Sequence, residues 1–551
     1  MAENRNRAEK TFLSGVFVLA LSTVLAKAVG FLYKIPMLSY LGAEGMGYFH
    51  SAYEIYALFC VISTAGLPVA LSVLVSAALS VGDERGAARV FRTSLGVFLG
   101  IGILGSGAMA ALSPLFCRLI RSANAYGCIL AISPTVLLIC VSSAVRGWFQ
   151  GHQKMAPTAI SQLIEAIGKL AFGLVLADVA AERGWGVPAI AAMAGVGLTL
   201  GTLLSTLYLV SEFFRLRPRA EKGASAPRGS GTLRQLWRLA FPMTVGASAV
   251  SLTKLIDMAM ILRRLRSVGY SEIAANAAYG SYTTLALSVY ALVPTLLSSV
   301  ALPLVPLLSS AIAAGDRGRQ ASLIRASYRL TAIISLPASL GLAMFAHPIL
   351  SLLFGREPEA VAQAAPLLAL LGPSVFLSCM IGATNSVLHA YRAVTKPILS
   401  LLAGAAVKLN VAYFLIGFLC NAAVVGMNLS FAARLCRVEV EKLGGTFAKP
   451  LIASVLSVGL CGVCYRLLVR AAGESALLTL GALIGCLVLY PVFGCLCGGI
   501  GREDIMLLPG GEKLCRALTF CRLLPRREEE KKEKNEEHER TGKGTVGEKT
   551  V

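Results

Sequence analysis

Eight ionisable side chains interrupt otherwise apolar stretches of this chain: Lys27 and Lys34, Glu54, Glu165 and Lys169, Lys254 and Asp257, and Lys408. An ionisable group deep in an apolar span costs at least ~2.5 kcal/mol on insertion scales, so each marks a functional hypothesis by default. Lys27 and Lys34 are seven residues apart, which on a helix puts them on one face about 10 Å apart along the axis, a spacing that grips an extended anion. Glu165 with Lys169, and Lys254 with Asp257, are four and three residues apart, so each pair can neutralise itself along its own helix. For Glu165 and Lys169 a structural ion pair between packed helices stands beside a coupling role. Lys27 has no acid within one turn, so its partner is another helix, water or an anionic ligand. Lys34 falls near the expected outer interface, where a lysine snorkels toward headgroups at little cost. Glu54, near the start of the second apolar span, and Lys408, in the eleventh, complete a set suited to binding; no catalytic residue and no metal site is expected.

The elements that must position these groups are membrane-spanning helices. The 551 residues are 56% hydrophobic and 15% charged, against about 45–50% apolar and 25% charged in soluble domains. Stretches of about 20 apolar residues, enough to cross a hydrocarbon layer, recur from Thr11 almost to Gly501. They imply an all-α integral membrane protein of about fourteen spans, including a first at 11–33, a second at 50–79, a fifth at 156–181, a seventh at 233–263, an eighth at 277–313 and an eleventh at 396–416. The first is too long for a signal-peptide core of about 7–15 residues and reads as an uncleaved helix. Pro68, Pro294, Pro303 and Pro306 fall inside the long second and eighth spans, where they should bend the helix. The 14 cysteines are scattered through the apolar runs; even Cys461 and Cys464 lack the partners and polar shell of a zinc site, so they read as small packing residues.

A net charge of +21 would suggest nucleic acid in a soluble protein. Here the basic residues fall in the short connections, as Arg85/Arg89/Arg92, Arg215 to Arg238, Arg317 to Arg329 and Arg434 to Lys449, and so carry topology. They predict a multi-pass protein of the cell membrane with both termini cytoplasmic and an even number of spans. Arg263-Arg264-Leu265-Arg266 is the main exception, placing three positive charges on the outer side.

An internal repeat is visible. Val75 to Asp83, followed by Arg89 and Arg92, matches Leu308 to Asp316, followed by Arg325 and Arg329, and the first and seventh spans each hold a central lysine, Lys27 and Lys254. A six-span unit is therefore read as duplicated in one orientation. The expected organisation is a six-helix lobe at 1–217, a cytoplasmic linker at 218–232, a second six-helix lobe at 233–437, two additional transmembrane helices at 438–500 and a disordered charged cytoplasmic tail at 501–551. Two such lobes bind cargo between them and rock to expose it to each side in turn. Lys27 and Lys254 should then face each other across the cavity. No P-loop of the GxxxxGK[ST] form is present, so no cofactor is expected and transport should be driven by a Na⁺ or H⁺ gradient or by membrane potential.

Specific runs narrow the reading. Lys27-Ala-Val-Gly-Phe-Leu-Tyr-Lys-Ile-Pro36, Leu41-Gly-Ala-Glu-Gly-Met-Gly-Tyr48, Ala52-Tyr-Glu-Ile-Tyr56, Ser63-Thr-Ala-Gly-Leu-Pro68, Arg146-Gly-Trp-Phe-Gln-Gly151, Pro157 to Glu165, and Ile256-Asp257 with Tyr279-Gly-Ser-Tyr282 together carry a likeness over nearly the whole chain before the tail. The sequence resembles the family of stage V sporulation protein B, polysaccharide-type exporters akin to the MurJ lipid II flippases, in the MOP superfamily that also holds MATE drug exporters. The resemblance implies two six-helix lobes around a central cationic cavity, and two extra helices that help form a groove for the lipid tail. The cargo would be a lipid-linked anionic oligosaccharide. Lys27 aligns with an arginine of the first helix in MurJ-like flippases. Further arginines that MurJ flippases of Gram-negative type carry in the second and eighth helices have no counterpart around Phe59-Cys60-Val61 or from Asn276 to Tyr282. A second departure lies at Phe414 to Cys420, where the eleventh and twelfth spans abut and must turn near Gly417.

The expected partners are that lipid-linked substrate and membrane lipids, with no nucleic acid; a monomer is expected, open to contact with cell-wall synthesis proteins. Two other readings compete. A MATE-type antiporter for organic cations would line its cavity with acids and aromatics rather than with Lys27, Lys34 and Lys254. A membrane glycosyltransferase would need a positioned carboxylate at a water interface, where the outer loops offer only Glu44, Glu272, Glu357 and Glu359.

Overall fold

A backbone in hydrocarbon has no water to bond to, so apolar runs of this length satisfy their N–H and C=O groups within a helix. In the computed structural model, which describes residues 18–19, 21–216, 230–301, 304–393, 395–410, 416–436, 443–501 and 515, every described element is helical. In chain order these are α1 (Leu21–Leu32), α2 (Lys34–Thr64), α3 (Leu67–Ser80), α4 (Glu84–Ala111), α5 (Ser113–Ile120), α6 (Tyr126–Ile132), α7 (Pro134–Gly151), α8 (Ala156–Glu182), α9 (Val187–Leu216) and α10 (Ser230–Ser267). There follow α11 (Glu272–Ser281), a π-helical turn at Tyr282–Ala286, α12 (Leu287–Ala301), α13 (Leu304–Ala313), α14 (Arg317–Met344), α15 (Ala346–Phe354), α16 (Pro358–Ala390), α17 (Thr395–Asn410), α18 (Ile416–Cys436), α19 (Leu443–Ala472) and α20 (Ala476–Leu496).

Among the described residues ten spans are long and apolar enough to cross a membrane, or eleven if α14 and α15, bent by 80° at Phe345, form one. The helices α1, α8 and α17 lie where the first, fifth and eleventh spans were expected. Pro68 does not bend a continuous helix: α2 stops at Thr64 and Pro68 sits in the first turn of α3, where its missing N–H is no loss. Pro294 lies inside α12, and Pro303 lies outside the described residues. So do most of the expected linker, up to residue 229, the expected tail except residues 501 and 515, and residues 411–415 between α17 and α18, while Gly417, near which the turn was expected, lies in the first turn of α18.

The repeated motif folds the same way twice. Gly82 and Gly315 take left-handed φ of 75° and 69°. Each donates its N–H to the carbonyl three residues back, and the following aspartate donates to the carbonyl five back. Asp83 then accepts from the N–H of Gly86 at 2.6 Å, and Asp316 from that of Arg319 at 2.9 Å. One helix is ended by a left-handed glycine and the next begun by an aspartate cap, as in the matching sequence.

By contact the chain divides into two compact units, Met1–Val289 with Leu353–Leu367, and Tyr290–Leu352 with Leu368–Val551. Within the first, α3, α4, α7, α9 and α10 bury Leu71, Phe91, Phe98, Trp148, Phe149, Leu209 and Leu236 against one another. Within the second, Tyr328, Met380 and Val387 centre one cluster, while α19 and α20 pack on α14 and α15 through Phe345, Val458 and Tyr465.

Candidate functional site

The site lies in the first unit, and glycines set its walls. Helices α8 and α9 touch backbone to backbone where Gly168 meets Gly201 and Gly173 meets Gly197: a Cβ on Gly168 would stand 2.9 Å from the Cα of Gly201, and one on Gly197 would collide with the N of Gly173. Small residues permit such approach in membrane helices. Because α8 is pinned in this way, Glu165 and Lys169 have fixed positions, one turn apart on the same helix.

A cavity of about 460 Å³ opens beside them, lined from α1 by Thr23 and Lys27, from α2 by Lys34, Phe49 and Tyr53, from α7 by Arg146, and from α8 by Gln162, Glu165 and Lys169. Four cationic side chains thus face it with one carboxylate. Glu165 is shared: its Oε2 accepts from Arg146 at 2.8 Å and its Oε1 from Lys169 at 2.7 Å, with side-chain exposures of 13%, 14% and 26% in that order. Arg146 also donates to Ser161 at 3.0 Å. The expected pair is therefore a triad, which answers the structural reading of Glu165 and Lys169 while leaving the cavity with an excess of positive charge. Arg146 is the site residue that the sequence reading missed.

Lys27 is exposed along the cavity wall, one turn from Thr23, whose hydroxyl donates to Gln162 at 3.0 Å. Among the described residues no ion pair engages Lys27. Lys34 departs from expectation. The first apolar stretch does not end near Tyr33; the helix resumes at Lys34 and the chain turns at Gly42, with φ 62° and ψ 178°. Lys34 is consequently half-buried, lines the cavity and donates to the Oγ of Ser288 at 2.7 Å, instead of snorkelling at an interface.

The remaining candidates form a separate group. Lys254 and Asp257 on α10 and Glu54 on α2 do not line the cavity, so the expected facing of Lys27 and Lys254 across one space is not seen there. Glu54 lies within Coulombic reach of Lys254, Lys34 and Asp257, which makes Lys34 the member common to both groups. Lys254 is exposed and Asp257 half-buried. Lys408 lies on α17, and its side chain is outside the described residues. Nothing in these positions brings a nucleophile, base and electrophile together; what they can do is hold an anion.

Comparison with known proteins agrees with the fold. Residues 12–312, more than half of the chain, match the family model described as polysaccharide biosynthesis protein, and residues 242–414 match that described as MatE. The chain is similar to stage V sporulation protein B of Bacillus subtilis (strain 168), 26% identical over 418 residues covering 74% of this chain and 78% of that protein. It is also similar to lipid II flippase MurJ of the same organism, 24% identical over 452 residues covering 77% and 81%. Among solved structures, lipid II flippase MurJ in an inward closed conformation superposes with a TM-score of 0.65 at 13% identity, covering 87% of this chain and 98% of that one.

Proposed function

The chain belongs to the polysaccharide biosynthesis protein family, and we propose that it moves a polyprenyl-diphosphate-linked cell-wall precursor, lipid II or a related lipid-linked oligosaccharide, across the cytoplasmic membrane. It is a transporter and not an enzyme. The observation that carries the reading is the charge of the cavity: Lys27, Lys34, Arg146 and Lys169 against Glu165 alone. Since Glu165 already neutralises part of the Arg146 and Lys169 charge, Lys27 is the group left to meet a diphosphate, and Tyr33, Phe49 and Tyr53 offer flat apolar faces to sugar rings. A site for organic cations would carry the opposite sign.

The proposal includes alternating access between lobes at 1–217 and 233–437, the helices of 438–500 beside the lipid tail, cytoplasmic termini, and coupling to a Na⁺ or H⁺ gradient or to membrane potential. The product would feed peptidoglycan, spore cortex or polysaccharide synthesis. Purified protein reconstituted in vesicles with fluorescent lipid II tests the reading. Flipping above that of empty vesicles, lost in Lys27→Ala, is the expected result. Export of an organic cation by vesicles that leave lipid II in place would replace it with the MATE-type reading. Cysteine labelling from outside the cell should reach Glu44 and Glu357 positions but not Gly223 or Gly542, and the reverse would invert the topology.

A further inference from the structure

Five arginines gather at one end of the first unit, away from the cavity: Arg118 on α5, Arg121 just after it, and Arg263, Arg264 and Arg266 in the last turns of α10. The grouping is a contact and not only a count. The Nε of Arg263 donates to the carbonyl of Leu119 at 2.7 Å, fixing the end of α10 to the last turn of α5, between Arg118 and Arg121 in the chain. Arg266 donates to the carbonyl of Tyr270 at 3.0 Å. Among the described residues no ion pair joins Arg118, Arg121, Arg263 or Arg266 to a carboxylate. Acids at this end include Glu272, whose Oε1 accepts from the N–H of Asn124 at 3.0 Å, and Glu44, which accepts from the hydroxyl of Tyr48 at 2.8 Å; set against five arginines they leave the patch positive.

Helix α5 has two faces. Ser113, Cys117 and Ile120 are buried against the bundle, while Leu112, Leu115 and Leu119 are 41%, 57% and 39% exposed beside the arginines. A short helix with leucines on its outer side and arginines at its end is the pattern of a segment lying in a membrane interface. This end is also the one opposite the basic connections at Arg85/Arg89/Arg92 and Arg234/Arg238, where the charge bias of membrane proteins disfavours arginine. A guanidinium fork matches two phosphate oxygens at once.

We propose that α5 and the end of α10 form a binding surface for the headgroups of anionic phospholipids in the leaflet at that end. The arginines clamp the phosphates and the exposed leucines enter the acyl region. A polyanion in the aqueous phase would make no use of those leucines. None of the five arginines lines the cavity, so the surface is independent of the cargo site.

The test uses the full chain, purified in a neutral detergent and titrated separately with phosphatidylglycerol, phosphatidylcholine and inorganic phosphate. Retained lipid is read by mass and the unfolding midpoint by fluorescence. Phosphatidylglycerol should be retained and raise the midpoint, whereas phosphatidylcholine and inorganic phosphate should do neither. The R118Q/R121Q/R263Q/R266Q variant should lose at least roughly tenfold in phosphatidylglycerol affinity. If the fourfold variant fails to fold, R118Q/R121Q, which leaves the Arg263 bond to Leu119 intact, should lose about threefold or more. Equal retention of the two lipids, or undiminished phosphatidylglycerol binding by the folded variant, overturns the proposal. So does a response to inorganic phosphate as large as that to phosphatidylglycerol, because it would assign a phosphate site without a lipid.

Discussion

The Nζ of Lys34 donates to the Oγ of Ser288 across 2.7 Å, joining residues 254 positions apart, and the Ser288 hydroxyl in turn donates to the carbonyl of Thr283 at 3.0 Å. A lysine of the cavity wall is thereby tied to the first turn of α12. Lys34→Met keeps the aliphatic stem and removes the donor. It should insert normally and lose roughly tenfold in flipping, the scale of one charge-assisted hydrogen bond. Wild-type flux in that variant would take the contact out of the transport cycle.

Lys27 faces the cavity without an ion-pair partner among the described residues. Lys27→Ala should abolish transport while leaving membrane abundance unchanged, and Lys27→Arg should retain much of it because the charge remains. Complementation of a strain depleted of its lipid II flippase reads both. Full rescue by Lys27→Ala would rule the residue out.

Glu165 holds two cations with one carboxylate. Glu165→Gln leaves both half-buried charges without their counter-ion, a loss of about 3 kcal/mol or more. The unfolding midpoint in detergent should fall by several degrees, and adding Arg146→Gln should recover part of the loss. A midpoint identical to wild type would mean that water already compensates the two cations.

A Cβ at Gly280 would collide with the carbonyl oxygen of Ala43, since α11 and α2 meet backbone to backbone there. Gly280→Ala should destabilise the protein by about 1–3 kcal/mol, as overpacking does elsewhere, and lower its yield. Gly96→Ala, at a glycine with open space around it, is the matched control and should change nothing. Equal behaviour of the two variants would show that α2 and α11 can part without cost.

The helical bundle was readable because lipid leaves the backbone few alternatives, and the repeat ending at Asp83 and Asp316 was readable because the same Gly-Asp pair recurs before a helix; that both aspartates cap that helix came from the structure. Lys34 was misplaced for a local reason: a lysine followed two residues later by Pro36 looks like the end of a span. The proline instead falls in the first turn of a resumed helix, where its missing N–H has no intrahelical acceptor to lose. Arg146 was passed over because it lies near the end of an apolar run, where arginine usually reaches water. Counting outward from the turn at His152 to Met155 sets Arg146 level with Ser161, to which it donates, and one helical turn from Glu165, a pairing that depends on the hairpin and not on either helix alone. The separation of Lys254 from the cavity had no signal at all, because the repeat fixes equivalence of position and not the path of the space between helices.

The π-helical turn at Tyr282–Ala286, closed by the N–H of Leu287 on the carbonyl of Tyr282, has an angular consequence. On a regular helix Gly280 and Ser288, eight residues apart, would point about 80° away from each other. A π turn absorbs one residue, so the remaining seven bring Ser288 back to within about 20° of the side on which Gly280 meets Ala43. Tolerance to changes in chain length should therefore be lopsided in this segment. A chain shortened by one residue between 282 and 286 relaxes to an ordinary helix and keeps both residues on one side, whereas a chain lengthened by one swings Ser288 away from Lys34.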